Sequence, residues 1–289
     1  MAILNLGTTR GGPVRFDRKD LAVEDPWRVR PGPFDFLIVH PYRMLVRMKK
    51  ISVTLPATDE PVSLVQTVEM VKELLPEYIL EFIIVTHPKI STPECKQAAR
   101  DLVQKYPNEV EAFEQTKPGL GGAIQEAFTK CTGDYTVLMS SDLETDPAAL
   151  PEMMKKMEEG YDIAATTRWQ GGVRFNGYDP IKLVLNFCFQ QFFRLLYWTK
   201  LTDLTYAYRV YRTDIVKRIR WEENGFPFLF ETLLKPLRLG YRTAEVKAPW
   251  IARTEGASHN SFSQTLKYVH IGLRLRFQPK SKMLYTAAQ

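Results

Sequence analysis

The chain has 289 residues, 45% hydrophobic and 25% charged, a composition that allows one large folded domain or two small ones. Its three cysteines lack metal-ligand spacing and no HExxH or C-x-x-C motif occurs, which disfavours a zinc site and indicates reduced thiols in the cytoplasm. The net charge of +6 lies mainly at the two ends without any DNA- or RNA-binding motif, which argues against a nucleic-acid-binding module.

The first 48 residues are predicted to be an irregular extension, because they contain five prolines and several glycines. Residues 34–39 form a short candidate strand within them. No apolar core of a signal peptide is seen there, and no stretch of the chain has the roughly 18 uninterrupted apolar residues of a transmembrane helix. We therefore expect a cytoplasmic protein. Its basic ends either keep it soluble or bind a phosphate-bearing partner or the anionic cytosolic face of a membrane.

Apolar strand patterns and helix patterns alternate from residue 50 to about 167. The predicted strands are 51–55, 81–85, 110–113, 135–139 and 163–167, and the predicted helices are 63–75, 93–106, 121–131 and 150–159. This alternation predicts an α/β fold with a mainly parallel central sheet flanked by helices. In such sheets, ligands bind beyond the carboxyl ends of the strands, so residues that directly follow each strand are the candidate site residues.

An acidic turn follows the strand predicted at 135–139. It starts at Ser140 and carries carboxylates at alternate positions, Asp142, Glu144 and Asp146. Mg²⁺ and Mn²⁺ prefer oxygen ligands, commonly one or two carboxylates together with substrate phosphates. In an extended segment Asp142 and Glu144 point to the same side. They are therefore predicted to hold Mg²⁺ or Mn²⁺ against a leaving diphosphate, whereas Asp146 is expected to cap the following helix.

Seven short motifs follow one another between residues 51 and 262. They are Pro56-Ala-Thr-Asp59-Glu60, Gly119-Leu-Gly121-Gly122-Ala123, Met139-Ser-Ser-Asp142-Leu143 with Glu144, Thr166-Thr167-Arg168-Trp169, Asp203-Leu-Thr205-Tyr-Ala-Tyr208-Arg209-Val-Tyr211-Arg212, Phe228-Leu-Phe-Glu231, and Glu245-Val-Lys-Ala-Pro249-Trp250 with Arg253-Thr-Glu-Gly256-Ala-Ser258-His259. In this order they resemble the inverting, GT-A-fold glycosyltransferases of family 2, most closely the dolichyl/polyprenyl-phosphate mannosyltransferase branch. The resemblance covers about three quarters of the chain.

The resemblance implies a single GT-A (Rossmann-like) domain. After the 1–48 extension, it places a nucleotide-sugar-binding half at 49–170 and an acceptor-binding half at 171–262, with a basic C-terminal helix and tail at 263–289. The implied reaction moves a sugar, mannose by default, from a nucleotide sugar to a polyprenyl or dolichyl phosphate with inversion. GDP-mannose is the default donor, and a UDP-sugar is the second candidate.

The resemblance also assigns roles to individual residues. Donor binding falls to Pro56, Thr58, Glu60, Thr86, Lys117, Gly121, Ser141 and Asp142. Acceptor binding falls to Arg168, Arg209, Arg212, Arg253 and Ser258. Catalysis falls to Asp142, Arg168 and Arg209, because an acceptor phosphate is already an anion and needs positioning and charge rather than a strong general base. Planar guanidinium groups suit such phosphate oxygens.

Two positions depart from the family pattern and keep other functions open. Thr86 stands where the family has a carboxylate that reads the nucleotide base, and Ser140 replaces the first Asp of the metal motif. One alternative is a transferase acting on a glycan or small-molecule hydroxyl, which would need Glu231 or Asp203 as a base. Another is a non-catalytic nucleotide-sugar-binding or scaffold protein. A dehydrogenase is disfavoured, because the glycines at 118–122 lack G-x-G-x-x-G spacing.

Two later segments combine apolar and basic residues. Residues 181–200 include six aromatic residues and are predicted to form a helix that either packs on the sheet or lies in a membrane interface. Residues 262–277 are predicted to form a second, basic amphipathic helix that adds to the same surface.

Overall fold

The computed structural model describes residues 48–169, 180–248 and 262–285. The predicted extension up to residue 47, with its candidate strand, lies outside the described residues, as do Arg253 and Ser258. All described residues fall within one compact unit. The proposed division into a donor half and an acceptor half stays a prediction.

The first part of the chain alternates strands and helices as predicted, with ends shifted by at most two residues. The elements are β1 (Lys50–Ala57), α1 (Pro61–Leu74), β2 (Ile79–Thr86), α2 (Pro93–Lys105), β3 (Val110–Glu114), α3 (Gly119–Lys130), β4 (Tyr135–Leu138), α4 (Leu150–Glu158) and β5 (Ile163–Thr167). Prolines stand at the first turns of α1 and α2, where the missing N–H costs no helical hydrogen bond. Thr92 caps α2 by accepting a hydrogen bond from the Cys95 N–H.

The second part is more helical. It contains α5 (Pro180–Tyr197), β6 (Arg209–Arg212), α6 (Thr213–Arg218), α7 (Phe228–Leu239), β7 (Thr243–Lys247) and α8 (Phe262–Phe277). Only α5 and α8 were predicted as helices from the sequence. No described helix combines the length and apolarity that crossing a bilayer requires.

The seven described strands form one sheet in the order β3-β2-β1-β4-β6-β5-β7. The ladders make β6 antiparallel to both β4 and β5, and the other six strands run in one direction. The predicted mainly parallel central sheet is therefore confirmed. The carboxyl ends of β1, β2, β4 and β5 lie at the same edge, which also holds the amino end of β6.

Helices cover both faces of this sheet. Alternation along β2 shows the two faces: Ile84 packs with the core under α1, α2 and α4, whereas Ile83 and Val85 pack against α3. A third cluster joins α5, α7 and α8 around the buried Phe193 and Phe230. The rigid sheet thus fixes where its loops begin, and the candidate site is built from those loops.

Candidate functional site

Glu60 joins the loop after β1 to the turn after β4. The Ser141 hydroxyl oxygen lies 2.6 Å from both the Glu60 carboxylate and the Pro56 carbonyl oxygen. Glu60 also accepts hydrogen bonds from the N–H groups of Thr58 and Asp59 at 3.0 and 2.8 Å. Burial raises the pKa of the Glu60 carboxyl, and these hydrogen bonds only partly oppose it. The predicted donor residues Pro56, Thr58, Glu60 and Ser141 therefore form one hydrogen-bonded group.

The acidic turn is bent, so the predicted extended segment is wrong. The N–H of Glu144 donates to Asp142 Oδ1 at 3.0 Å, and Leu143 between them has a φ of 61°. Asp side chains favour such turns because they accept hydrogen bonds from the backbone two residues on. A positive φ is unusual for leucine and persists only where neighbouring contacts hold it. The two carboxylate residues are therefore neighbours across a turn rather than along a strand.

Ser140 occupies the position of the missing carboxylate and orients Asp142. Its hydroxyl donates to Asp142 Oδ1 at 2.5 Å and lies 3.1 Å from the Thr145 hydroxyl. Asp142 is 9% exposed, and Glu144 is half-buried. Asp146 accepts from the Ala148 N–H at 2.9 Å, which confirms its predicted capping role. The serine thus supports one carboxylate instead of adding another.

This turn fits a divalent cation that is shared with a substrate. In the described part of the chain, no group of three or more His, Cys, Asp or Glu side chains could enclose a metal ion. Mg²⁺ commonly takes only one or two protein carboxylates and completes its shell with water and substrate phosphates. Asp142 and Glu144 supply an oxygen-only ligand set of that kind.

Arg168 follows β5 and is fixed by the fully buried Asp203. Its Nε and Nη2 donate to the two Asp203 oxygens at 2.7 and 3.1 Å, and Nη2 also reaches the Thr205 hydroxyl at 3.2 Å. Burial alone would raise the pKa of Asp203, but the Arg168 charge and hydrogen bonds outweigh it and hold the pKa below its ordinary value. Asp203 is therefore ionised and a poor general base.

Two further side chains support this ion pair. Gln190 of α5 donates to the Thr205 hydroxyl at 2.9 Å and accepts from the Leu204 N–H at 2.9 Å. Glu245 of β7 accepts from the N–H groups of Thr202 and Asp203 at 2.6 and 3.1 Å. The loop before β6 is thus held from α5 and from the sheet.

Arg209 is fully buried, although it begins β6 at the correct edge of the sheet. Its guanidinium donates to the carbonyl oxygens of Leu229 and Leu204 and to the Thr232 hydroxyl at 2.5 to 3.0 Å. Its Nε has no hydrogen-bond partner within the described ranges. These contacts hold α7 and the loop before β6, so contact with an acceptor phosphate stays a prediction that this packing does not favour.

Arg212 lies at the opposite edge of the sheet. It pairs with Tyr135, the first residue of β4, and forms ion pairs with Asp162 and Asp214 at 3.3 and 3.1 Å. The strand β6 runs from Arg209, at the edge of the acidic turn, to Arg212 at its far end. The structure therefore does not bring Arg212 to the candidate site.

The remaining predicted donor residues lie at the end of β2 and at the start of α3. Thr86 ends β2 and is buried, with its hydroxyl 3.4 Å from the Phe113 carbonyl oxygen. Lys117 precedes α3, and its ammonium donates to Gln125 at 3.0 Å. At Gly121, a Cβ atom would lie 2.5 Å from the Glu223 carbonyl oxygen. Gly121 therefore allows α3 to approach the 223–225 loop closely, a packing role that the sequence did not indicate.

Glu231, the other candidate base, is fully buried in an ion pair. Its carboxylate lies 2.6 Å from the Lys235 ammonium and accepts from the Glu223 N–H at 2.9 Å. Burial raises the pKa of Glu231, and the charge of Lys235 opposes this effect. Both partners have no solvent-accessible side-chain surface. The pair holds the 222–223 backbone against α7, which is a structural task.

The sequence profile of Glycosyl transferase family 2 matches residues 52–220, more than half of the chain. The chain belongs to glycosyl transferase family 2. It is therefore a family 2 glycosyltransferase, as the motifs predicted, rather than a dehydrogenase.

Two curated relatives of this glycosyltransferase are named for lipid-phosphate acceptors. A dolichol-phosphate mannosyltransferase of Pyrococcus furiosus is 25% identical over 190 residues, which cover 64% of this chain and 53% of that protein. An undecaprenyl-phosphate mannosyltransferase of Micrococcus luteus is 28% identical over 152 residues, covering 50% of this chain and 62% of that protein. The chain thus spans between half and two thirds of the length of these relatives.

The glycosyltransferase also shares its fold with a solved enzyme. The glucosyl-3-phosphoglycerate synthase of Mycobacterium tuberculosis, crystallised with Mn²⁺, UDP-glucose and phosphoglyceric acid, superposes with a TM-score of 0.60 at 16% identity. The match covers 81% of both chains. This likeness confirms the predicted GT-A fold.

Proposed function

We propose that this glycosyltransferase moves a sugar, mannose by default, from a nucleotide sugar to a polyprenyl or dolichyl phosphate with inversion. The observation that carries the proposal is the state of the two candidate bases. Asp203 is ionised and paired with Arg168, and Glu231 is buried with Lys235. A hydroxyl acceptor needs a base to remove its proton, whereas a phosphate oxygen attacks as an anion. The names of the relatives support the same acceptor class.

Arg168 is the proposed acceptor residue of the described part of the chain. Its side chain is 17% exposed, and its guanidinium plane is fixed by two hydrogen bonds to Asp203. A guanidinium held in this way binds a phosphate with little further loss of side-chain freedom. Arg253 and Ser258, outside the described residues, remain proposed acceptor ligands. Positioning of the anion beside the donor then supplies the rate enhancement.

Donor binding is proposed for the edge that contains Pro56, Thr58, Glu60, Thr86, Lys117 and Ser141. There, Asp142 and Glu144 would hold Mg²⁺ or Mn²⁺. A bound divalent cation neutralises the charge of a departing diphosphate. Thr86 is neutral and can hydrogen-bond a base through its hydroxyl, so GDP-mannose and UDP-sugars are both donors to test.

Transfer assays with matched acceptors test this function. The full chain is incubated with GDP-mannose or UDP-glucose, Mn²⁺ or Mg²⁺, and either undecaprenyl phosphate or undecaprenol, which lacks only the phosphate. We expect a product only with undecaprenyl phosphate and not with undecaprenol. NMR should show that the anomeric configuration of the transferred sugar is inverted. The Asp142→Ala variant should lose turnover while keeping its fold by circular dichroism. Transfer to undecaprenol, or to a sugar hydroxyl in place of the lipid phosphate, would refute the proposal.

We also propose that the outer face of α5 contacts an anionic membrane. The helix packs on the core through Phe193, which is fully buried, so the predicted core-helix interpretation holds for that face. Its opposite face exposes apolar side chains to between 50% and 83%: Val184, Leu185, Phe192, Leu195 and, just beyond the helix, Trp198. Neighbouring α8 adds the exposed Leu266, Leu273 and Phe277.

Charge complementarity supports an anionic membrane as the occupant of this face. Exposed basic residues accompany the apolar side chains: Lys200, Lys267, Arg274, Lys280 and Lys282. Apolar insertion combined with basic residues is the pattern of helices that lie in an anionic lipid interface.

Vesicle sedimentation tests this contact. We expect the full chain to sediment with vesicles containing phosphatidylglycerol far more than with phosphatidylcholine vesicles. A Phe192→Ser/Leu195→Ser variant should lose most of that binding. Val62 on α1 is also exposed, at 56%, so Val62→Ser is the matched control and should bind normally. Equal binding of all three proteins would exclude α5 as the contact.

A further inference from the structure

Tyr206 touches both the acidic turn and the acceptor arginine. Its hydroxyl donates to the backbone carbonyl oxygen of Glu144 at 2.7 Å. The guanidinium carbon of Arg168 lies 4.8 Å from the centre of its ring, within the range of a cation–π contact. The side chain therefore spans the space between the residues proposed to bind the metal and the residue proposed to bind the acceptor.

Tyr206 is itself held in place. Its N–H donates to Asp203 Oδ1 at 3.1 Å, and the residue is only 7% exposed. A phenol hydroxyl is a hydrogen-bond donor at neutral pH, and here it donates to a backbone carbonyl oxygen. The oxygen that accepts this hydrogen bond belongs to the backbone of the turn. The bond therefore fixes the path of the turn rather than the rotamer of one side chain. A rigid ring between two fixed ends acts as a spacer.

The spacing it sets bears directly on the reaction. The acidic turn starts after β4 and Arg168 follows β5, and β6 separates these two strands in the sheet. Transfer needs the attacking oxygen within about 3 to 3.5 Å of the sugar carbon, and small displacements of either substrate slow it strongly. A contact that ties both segments together therefore controls how the two substrates meet.

We infer that Tyr206 is a positioning residue that fixes the acidic turn relative to Arg168, and so the donor relative to the acceptor. This inference rests on the proposed function. It assigns separate tasks to two parts of one side chain. The hydroxyl holds the turn on the donor side, and the ring supports the arginine on the acceptor side.

Two substitutions separate these tasks. Tyr206→Phe keeps the ring and removes only the hydroxyl bond to Glu144. Tyr206→Leu removes both contacts. Tyr211→Phe is the matched control, because Tyr211 is also buried on this motif and its hydroxyl donates to the Thr232 carbonyl oxygen at 3.2 Å, on α7. Calorimetry with Mn²⁺ and GDP or UDP measures the donor side, and KM for undecaprenyl phosphate measures the acceptor side.

We expect Tyr206→Phe to raise the Kd of the Mn²⁺–nucleotide complex about fivefold, which corresponds to about 1 kcal/mol. Its KM for undecaprenyl phosphate should stay within about twofold of wild type, since the ring remains. Tyr206→Leu should raise both constants and lower kcat. Tyr211→Phe should leave both constants unchanged. A general loss of stability would instead shift both constants together in all three variants.

Wild-type nucleotide binding in Tyr206→Phe, or equal losses in Tyr206→Phe and Tyr211→Phe, would overturn the inference. The calorimetric measurement needs no acceptor, so it decides the role of the hydroxyl even if the wild-type chain transfers nothing to undecaprenyl phosphate. Absence of transfer to undecaprenyl phosphate would refute the proposed function but not the role of the Tyr206 hydroxyl. A crystal structure of Tyr206→Leu in which the 141–145 turn and Arg168 keep their wild-type separation would also overturn the inference.

Discussion

Arg168 and Asp203 form a bidentate ion pair in which the arginine is partly exposed and the aspartate is fully buried. Asp203, the buried partner, stays ionised because Arg168 lies beside it. Arg168, the partly exposed partner, places its positive charge at the candidate site. This division explains how an arginine can be held rigidly and still bind a ligand. It also makes Asp203 a support for the proposed acceptor residue Arg168 rather than a base.

Asp203→Asn should therefore damage both stability and acceptor binding. The amide keeps the shape but leaves the Arg168 charge without its buried partner, which typically costs about 3 kcal/mol. We expect urea denaturation to show a loss of that order, with a higher KM for undecaprenyl phosphate and an unchanged Kd for Mn²⁺–nucleotide. Asp214→Asn breaks an exposed ion pair with Arg212 and should change stability little. Equal effects in the two variants would contradict this account.

The same pair predicts how stability depends on pH. The pKa of Asp203 is lower in the folded chain than its unfolded value of about 3.9. Its contribution is therefore fully present above the unfolded pKa and is lost as the pH falls through the folded pKa. The difference in unfolding free energy between wild type and Asp203→Asn should be constant from pH 7 to about 5 and shrink below about 4. Urea denaturation at each pH measures this difference in unfolding free energy. A difference that stays constant below about pH 4 would contradict the lowered pKa of Asp203.

Ser140→Asp should make metal binding tighter and the metal-free protein less stable. The serine hydroxyl now donates to Asp142, whereas a carboxylate there would repel it unless a cation lies between them. We expect a lower melting temperature without metal, and a larger rise on adding Mn²⁺ than in wild type. Ser140→Ala is the control, because it removes the hydrogen bond without adding charge. A Ser140→Asp protein with weaker Mn²⁺ binding than Ser140→Ala would place the metal elsewhere.

The sequence predicted the first nine elements well because each has a strong local pattern and clear end signals. It missed β6 and β7, which have only four and five residues and owe their pairing to neighbouring strands. It missed α7, which contains Pro236, a residue that ordinarily ends helices. Local pattern therefore specified the first part of the chain, up to β5, and tertiary contacts specified β6, β7 and α7.

The candidate site shows the same limit. Motif position indicated Asp142, Glu144 and Arg168, which do lie at the carboxyl edge of the sheet. It could not show that Arg209 turns inward, since strand position fixes the edge but not the packing above it. Tyr206 lies inside a recognised motif, yet only the fold brings its hydroxyl to Glu144. Gln190 had a weaker signal, as a polar residue in a largely apolar helix.

Glu231→Gln should test whether this carboxylate is structural. We expect a destabilised protein, because the buried Lys235 would lose the nearer of its two carboxylate partners and keep only Glu222, at 3.0 Å, for a loss of up to about 3 kcal/mol. The folded fraction should keep kcat within about threefold of wild type. Lys235→Met should destabilise to a similar degree, and Lys156→Met, which breaks a more exposed pair with Glu159, should have little effect. A stable Glu231→Gln protein without turnover would instead identify Glu231 as the base.

Gly121→Ala should reveal how tightly α3 packs on the 223–225 loop. A Cβ there would lie 2.5 Å from the Glu223 carbonyl oxygen and 2.6 Å from Phe228 Cβ, so the backbone must move. Such overpacking typically costs about 1 to 3 kcal/mol. Gly225→Ala is the matched control, since the atom nearest to its Cβ is the Pro227 side chain at an ordinary 3.5 Å. We expect denaturant midpoints to fall clearly for Gly121→Ala and little for Gly225→Ala. Because α3 follows the proposed donor residue Lys117, Mn²⁺–nucleotide binding should weaken in Gly121→Ala as well, and a stable variant with normal binding would remove this glycine from the donor side.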